Sequence, residues 1–332
     1  MTYNYAFVMS NEIIVFKVGS GKVLQEPSIV AVENIGNKKN IVAVGKEAYD
    51  LEGKCPPNIE IIRPIIDGVV VNREYAQYLM EGIVEKLNLK TFSRKNALLL
   101  LASSLTKQEK NEFVNLLYSV KMNNVAVLPA LMSAFINMEC QENDLSAHLI
   151  LNIEDVVDIA VIANGTILQA CTLDIGKDLL NIGIKDYFET GYSTNISLNT
   201  CEEIRLRLET LLANDISSIT VVGNDINTAL NNEITLQSQE IRPLFVDFYT
   251  KVCNGIISML RVCNSEIVSD IKRRGVYVCG SLSTITGFEK FMKGRLSLPV
   301  YVCDDPEDCV VDGCKTLLND PVLLDSLLQK NK

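Results

Sequence analysis

Histidine occurs once in this 332-residue chain, as His148, and that scarcity removes whole classes of chemistry. A Ser-His-Asp or Cys-His centre needs an imidazole beside its nucleophile, whereas His148 lies in Ala147-His148-Leu149-Ile150-Leu151, the pattern of a strand entrance. None of the ten cysteines forms a Cys-x-x-Cys pair, so zinc would need an unusual all-cysteine set. Most of them sit in apolar runs such as Val278-Cys279, Val302-Cys303 and Cys309-Val310-Val311, where a reduced thiol acts as a small buried hydrophobe. No metal site is expected. Also missing is an apolar run of about eighteen residues, the length that spans a bilayer. The start Met1-Thr2-Tyr3-Asn4-Tyr5 has no basic n-region, so neither a signal peptide nor a spanning helix is predicted and a cytoplasmic location is expected. Positive charge is short too: 31 Lys and Arg face 41 Asp and Glu, a net charge of −10, which disfavours nucleic acid as a partner.

What the chain does have is apolar residues, 48% of the total, and enough length for two domains with their own cores. Short apolar runs read as strands at Ile13 to Val18, Ser28 to Val32, Ile41 to Val44, Ala97 to Leu101, Val125 to Leu128, Leu149 to Asn152, Ile159 to Ala163, Ile219 to Val222 and Val276 to Cys279. Amphipathic segments read as helices at Tyr75 to Leu87, Lys107 to Val120, Cys201 to Leu212, Ile241 to Arg261 and Gly287 to Arg295, with Thr106 and Thr200 as N-caps. A further short amphipathic helix is expected from Pro321 to the C-terminus. Strand hairpins precede βα units in both halves, the second turning at Asn164-Gly165. The class is α/β, with a duplicated layout.

Four motifs narrow that class. Leu24-Gln25-Glu26-Pro27-Ser28, Val44-Gly45-Lys46-Glu47-Ala48, Arg63-Pro64-Ile65-Ile66-Asp67-Gly68-Val69 and the tail from Ser269 through Asp305-Pro306 to Gly313 resemble the bacterial actin MreB family in order and spacing. The resemblance runs from about Ile13 to about Leu318, nearly the whole chain. It implies the actin/Hsp70/sugar-kinase (ribonuclease H-like) fold, with two lobes each divided into a larger and a smaller subdomain. The expected division is 1–140, with a small subdomain at about 29–72, and 141–332, with one at about 176–245. The family's proteins form membrane-associated filaments that set rod shape, hydrolysing ATP with magnesium between the lobes.

The ATP-binding groups that the resemblance implies are largely absent. The aspartate, glycine and threonine of the first phosphate loop fall on Phe7, Met9 and Ser10, so only a hydroxyl survives, and Ser10 and Asn11 are the vestigial contacts there. The second loop becomes Asn152-Ile153-Glu154-Asp155-Val156-Val157-Asp158, without a glycine. Glu154 and Asp155 put carboxylates where a triphosphate would lie, and two like charges about 5 Å apart repel by roughly 3 kcal/mol at an effective dielectric near 20. The family's water-positioning glutamate falls in Pro129-Ala130, and alanine cannot act as a general base. On the nucleoside side Glu202 matches, Arg205 replaces a lysine, and Gly280-Ser281 keep only the first glycine of a longer run. Glu202 and Arg205, three apart on one helix, suit an exposed ion pair and a nucleoside contact equally well. Gly176 and Asp178 match around Lys177, a cation that could neutralise Glu154 or Asp155.

Partner surfaces are sparser. Leu89 and Phe92, beside Lys90, Arg94 and Lys95, form the candidate loop for peripheral membrane contact. Three functions from different classes follow. The first is an MreB-like cytoskeletal protein for cell shape, assembling with itself or with a conventional MreB paralogue without ATP turnover and with no cofactor. The second is an ATP- and magnesium-binding nucleotide switch, and the third a non-polymerising scaffold on an actin fold.

Overall fold

The computed structural model describes residues 2–36, 38–88, 95–138 and 140–331; the membrane-loop candidates Leu89 and Phe92 lie outside them. In chain order come β1 (Tyr5–Met9), β2 (Glu12–Lys17), β3 (Gly21–Pro27), β4 (Val30–Ile35), β5 (Lys38–Val44), the single turn α1 (Lys46–Tyr49), β6 (Ile59–Ile62), β7 (Ile65–Ile66), β8 (Val69–Val70) and α2 (Arg73–Lys86). They are followed by β9 (Asn96–Leu101), α3 (Lys107–Ser119), β10 (Asn124–Pro129) and α4 (Ala130–Asn137). A second hairpin run, β11 (His148–Ile153), β12 (Val157–Ala163) and β13 (Thr166–Leu173), leads to α5 (Lys177–Tyr192), β14 (Thr194–Asn195), α6 (Leu198–Leu208), β15 (Ser218–Asp225) and β16 (Asn231–Gln237). The chain finishes with α7 (Ser238–Val262), α8 (Ser265–Arg274), β17 (Val276–Cys279), α9 (Phe288–Leu296), β18 (Val300–Val302), α10 (Cys309–Asn319) and α11 (Pro321–Lys330).

Two five-stranded sheets have the orders β10-β9-β1-β2-β3 and β13-β12-β11-β17-β18. Numbered within its own sheet, and with the first sheet taken from its β3 edge, each reads third, second, first, fourth, fifth, so the expected duplication is present at the level of topology. In the first sheet β1 pairs antiparallel with β2 and parallel with β9. The second hairpin turns where expected, with Asn164 and Gly165 both at positive φ, the backbone that a two-residue Asn-Gly turn needs to match strand twist.

By contact density the chain divides into two compact units. The first comprises Met1–Ile150, Asp158–Thr172 and Glu307–Lys332, the second Leu151–Val157 and Leu173–Pro306. In the first unit, alternate residues of β1, Tyr5, Phe7 and Met9, share a hydrophobic cluster with Leu79 and Met80 of α2 and Phe113 of α3, as the two-residue period of a strand requires. Helix α3 starts at the capping box of Thr106 and Glu109. Burying the Phe7, Phe113 and Leu79 side chains alone contributes on the order of 5 kcal/mol or more. In the second unit the long helix α7 buries Phe245, Phe248, Tyr249, Val252 and Ile256.

Several boundaries differ from the sequence reading. Residues 5–9 form a full strand, because Tyr5, Phe7 and Met9 are inward-facing core residues. Helix α6 begins at Leu198 with Ser197 as its N-cap, accepting from Thr200 N–H at 3.1 Å, so Thr200 lies inside the first turn and is not the cap. The same helix stops at Leu208, four residues short of Leu212, because Thr210 leaves it to bridge Thr286 and Leu211 N–H donates to the Thr286 carbonyl at 2.9 Å.

Candidate functional site

The sequence motifs point to two hairpin turns, one in each unit. In the first unit the turn between β1 and β2 is Ser10-Asn11. The Ser28 hydroxyl donates to the Ser10 carbonyl at 2.8 Å, Ser28 N–H donates to the Asn11 carbonyl at 2.7 Å, and Asn11 Oδ1 accepts from Gly68 N–H at 3.3 Å. Thus the Glu26-Pro27-Ser28 and Asp67-Gly68 motifs are the clamps of this turn. Glu26 also joins the Gly45-Lys46 motif: its carboxylate accepts from Lys46 N–H at 2.5 Å and from Lys86 Nζ at 2.9 Å. The Ser10 hydroxyl is buried and makes no hydrogen bond. Phe7 and Met9, onto which the aspartate and glycine of the family's first loop fall, both belong to the core packed on α2 and α3.

The turn of the second unit, Glu154-Asp155-Val156, is built differently. Glu154 Oε2 accepts from the Ser281 hydroxyl at 2.9 Å and forms an ion pair with Lys177 Nζ, while Glu154 Oε1 accepts from Ser281 N–H. Lys177 N–H, at the start of α5, donates to the Glu154 carbonyl at 3.2 Å. The surrounding backbone is tight. A Cβ on Gly176 would lie 1.9 Å from the Asp155 carbonyl oxygen, and one on Gly280, where φ is +93°, would lie 2.3 Å from that of Ile153. Only glycine fits at either position. Three groups suited to holding an oxyanion, a cation, an N–H and a hydroxyl, therefore converge on the chain's own carboxylate.

Glu202 and Arg205 share a face of α6 as predicted, 3.8 Å apart, but their roles are unequal. Glu202 is half-buried, whereas Arg205 is buried, paired with Glu209 at 3.0 Å and donating to Asn181 Oδ1 at 3.3 Å. Arg205 thus ties α6 to α5. Nearby, the Tyr249 hydroxyl donates to the Leu282 carbonyl in the turn that begins at Gly280-Ser281. Its burial, and next Glu209, push the Tyr249 pKa well above its ordinary value, so the hydroxyl stays a donor. Sequence reading missed Tyr249, which nothing in the apolar stripe of α7 distinguishes from a core residue.

The expected hydrolytic position, Pro129-Ala130, forms the start of α4, whose first turn carries no acidic residue. Asp158, also missed, is the one acid buried in the apolar run Val156 to Ala163, and that isolation was the signal available. Burial pushes its pKa up to about 6, against hydrogen bonds from Ser103 N–H at 2.9 Å, the Ser103 hydroxyl at 2.8 Å and the Thr172 hydroxyl at 2.9 Å. Among the described residues no three His, Cys, Asp or Glu side chains converge as a metal set, and none of the ten cysteines is disulfide bonded. No helix among the described residues is long and apolar enough to cross a membrane.

Comparison with known proteins agrees with the duplicated sheet order. The family profile described as "MreB/Mbl protein" matches residues 9–326. The cell shape-determining protein Mbl of Bacillus subtilis (strain 168) is 27% identical over 318 residues, covering 92% of each chain. The crystal structure of MreB 5 of Spiroplasma citri bound to AMPPNP superposes with a TM-score of 0.88 at 25% identity, covering 98% of both chains. A MamK double helical filament, at 13% identity and a TM-score of 0.75 over 95% of this chain and 99% of that one, shares the fold.

Proposed function

We propose, from the premise that this chain belongs to the MreB/Mbl protein family, that it is a cell shape-determining cytoskeletal protein that assembles into actin-like filaments without ATP turnover. The family match over residues 9–326 and the relatives named for cell shape support the cytoskeletal part. A fold-mate solved as a double helical filament supports self-assembly. The observation that carries the absence of turnover is the Glu154 carboxylate, held by Lys177 and Ser281 where a phosphate loop would need donors. Ala130 supports it from the hydrolytic side. The proposed compartment is the cytoplasm, with conventional MreB paralogues as co-assembly partners and a peripheral membrane contact through Leu89 and Phe92. A four-part division with smaller subdomains at about 29–72 and 176–245 is supported by the three-stranded sheets β5-β4-β6 and β14-β15-β16, which fall inside those ranges.

A nucleotide switch is the second reading, favoured by the AMPPNP that the Spiroplasma relative holds and by the unpartnered Ser10 hydroxyl. Sedimentation and negative-stain electron microscopy separate the two. Purified chain is expected to form filaments equally well with no nucleotide and with ATP and magnesium. Filaments that appear only with ATP would sink the proposal in favour of the switch. If none form under any condition, alone or with a conventional MreB, the chain is a scaffold.

A further inference from the structure

We propose that Glu154 is a built-in anion: its carboxylate occupies an oxyanion site made by Lys177 Nζ and by the N–H and hydroxyl of Ser281, closing to phosphate a site that opens when the carboxylate is removed. The inference deepens the nucleotide-independent reading above, by naming what fills the site instead of a nucleotide.

The geometry separates this arrangement from an ordinary surface ion pair. An exposed Lys-Glu pair engages one donor and leaves the remaining carboxylate lone pairs to water. Here Lys177 and the Ser281 hydroxyl meet Oε2 while Ser281 N–H meets Oε1, and all three residues are only partly exposed. Both oxygens are thus answered by protein donors. The donors come from separate elements, the start of α5 and the turn after β17, and the acid comes from the turn between β11 and β12. Each element is brought close at a glycine. Gly176 lies against the Asp155 carbonyl and Gly280 against the Ile153 carbonyl, with no room for a Cβ at either. Close backbone approach of this kind positions N–H groups and one cation around an anion. The Lys177 N–H bond to the Glu154 carbonyl fixes the turn by its main chain as well, so withdrawing the side chain leaves the donors in place.

Charge decides what can enter. With Glu154 ionised, an incoming phosphate meets a like charge at close range and finds its donors engaged. Without the carboxylate, one cation and two hydrogen-bond donors face the same space. Allowing for solvent screening at a partly exposed site, the exchange is worth about tenfold or more in affinity for a small oxyanion.

The test titrates inorganic pyrophosphate, without magnesium, into the full chain by calorimetry, with folding of each variant checked by circular dichroism. Wild type is expected to bind at least tenfold more weakly than Glu154→Ala, and the gain is expected to disappear in Glu154→Ala/Lys177→Ala. Equal binding by wild type and Glu154→Ala overturns the proposal, and so does a gain that survives loss of Lys177. Should Glu154→Ala fail to fold, Glu154→Gln keeps the size and an acceptor for Ser281 while removing the charge. It must then show a gain of the same sign, and no gain overturns the proposal. Nucleotide-free filaments together with no pyrophosphate gain leave the function standing and remove the built-in anion. A pyrophosphate gain with strictly ATP-dependent filaments does the reverse.

Discussion

The two hairpin turns occupy equivalent places in sheets of the same strand order, yet they are stabilised by opposite means. The Ser10-Asn11 turn of the first unit is held by neutral hydrogen bonds from Ser28 and Gly68, with the ionic group Glu26-Lys86 set back beside Lys46. The Glu154 turn of the second unit is held by charge, through Lys177, with Ser281 completing the contact. Asp158 sharpens the contrast, because this fully buried acid of the first unit is answered by neutral donors, those of Ser103, Thr172 and the Ile159 backbone. Two copies of one topology can therefore be stabilised in different ways: one turn is a neutral corner, while the other gathers donors around its own anion.

The largest effect should come from backbone proximity at the second turn. Gly176→Ala would drive a Cβ to 1.9 Å from the Asp155 carbonyl, and a loss of about 3 kcal/mol is expected by urea unfolding. A variant as stable as wild type would show that the turn is looser than described. Nearly as large is the pH dependence of Asp158. Its folded pKa of about 6 lies above the ordinary value of 3.8, so between those values the folded state binds more protons than the unfolded one. Stability contributed by this group is complete below pH 4 and lost as the pH rises through 6, a fall of about 3 kcal/mol. Urea midpoints measured across that window should decline for wild type, and Asp158→Asn should flatten the decline; an unchanged slope would remove Asp158 as its source.

Smaller effects probe the neutral turn. Asn11→Ala removes the acceptor for Gly68 N–H and is expected to cost about 1 kcal/mol, with no dependence on salt. A salt-dependent loss would erase the distinction between the turns. The smallest effect is expected at Lys22-Asp308, a 2.6 Å ion pair between half-exposed side chains. Lys22→Ala should change the unfolding free energy by about 0.5 kcal/mol or less, and a larger shift would mean that surface charge matters more in the first unit than its turn suggests.

Much of the fold was legible because strands and helices write their period into the sequence. Strand β17 coincides with the run Val276 to Cys279, and the Asn164-Gly165 turn follows from its two residue types. The errors arose where a tertiary contact redrew a local pattern. Helix α6 ends early because of the Thr210-Thr286 bridge, which lies far off in sequence. Residues 5–9 are not among the strands read from periodicity, and the family comparison sets Phe7 and Met9 in a phosphate loop, although their alternating apolar side chains belong to a strand.

At the candidate site the sequence determined which chemical groups were present. Glu154 and Asp155 stand in the second turn, Lys177 beside Gly176, and Ala130 directly after Pro129. Those are matters of residue identity, visible without coordinates. Only tertiary structure decided that Lys177 and Ser281 both meet Glu154, and that Arg205 is buried against Glu209. Residues 23 and 127 positions apart along the chain meet Glu154 through the packing of separate elements, within 3 Å in the case of the Ser281 hydroxyl. Hydrogen bonds and ion pairs depend on distances at that scale, and no periodicity in a sequence encodes them.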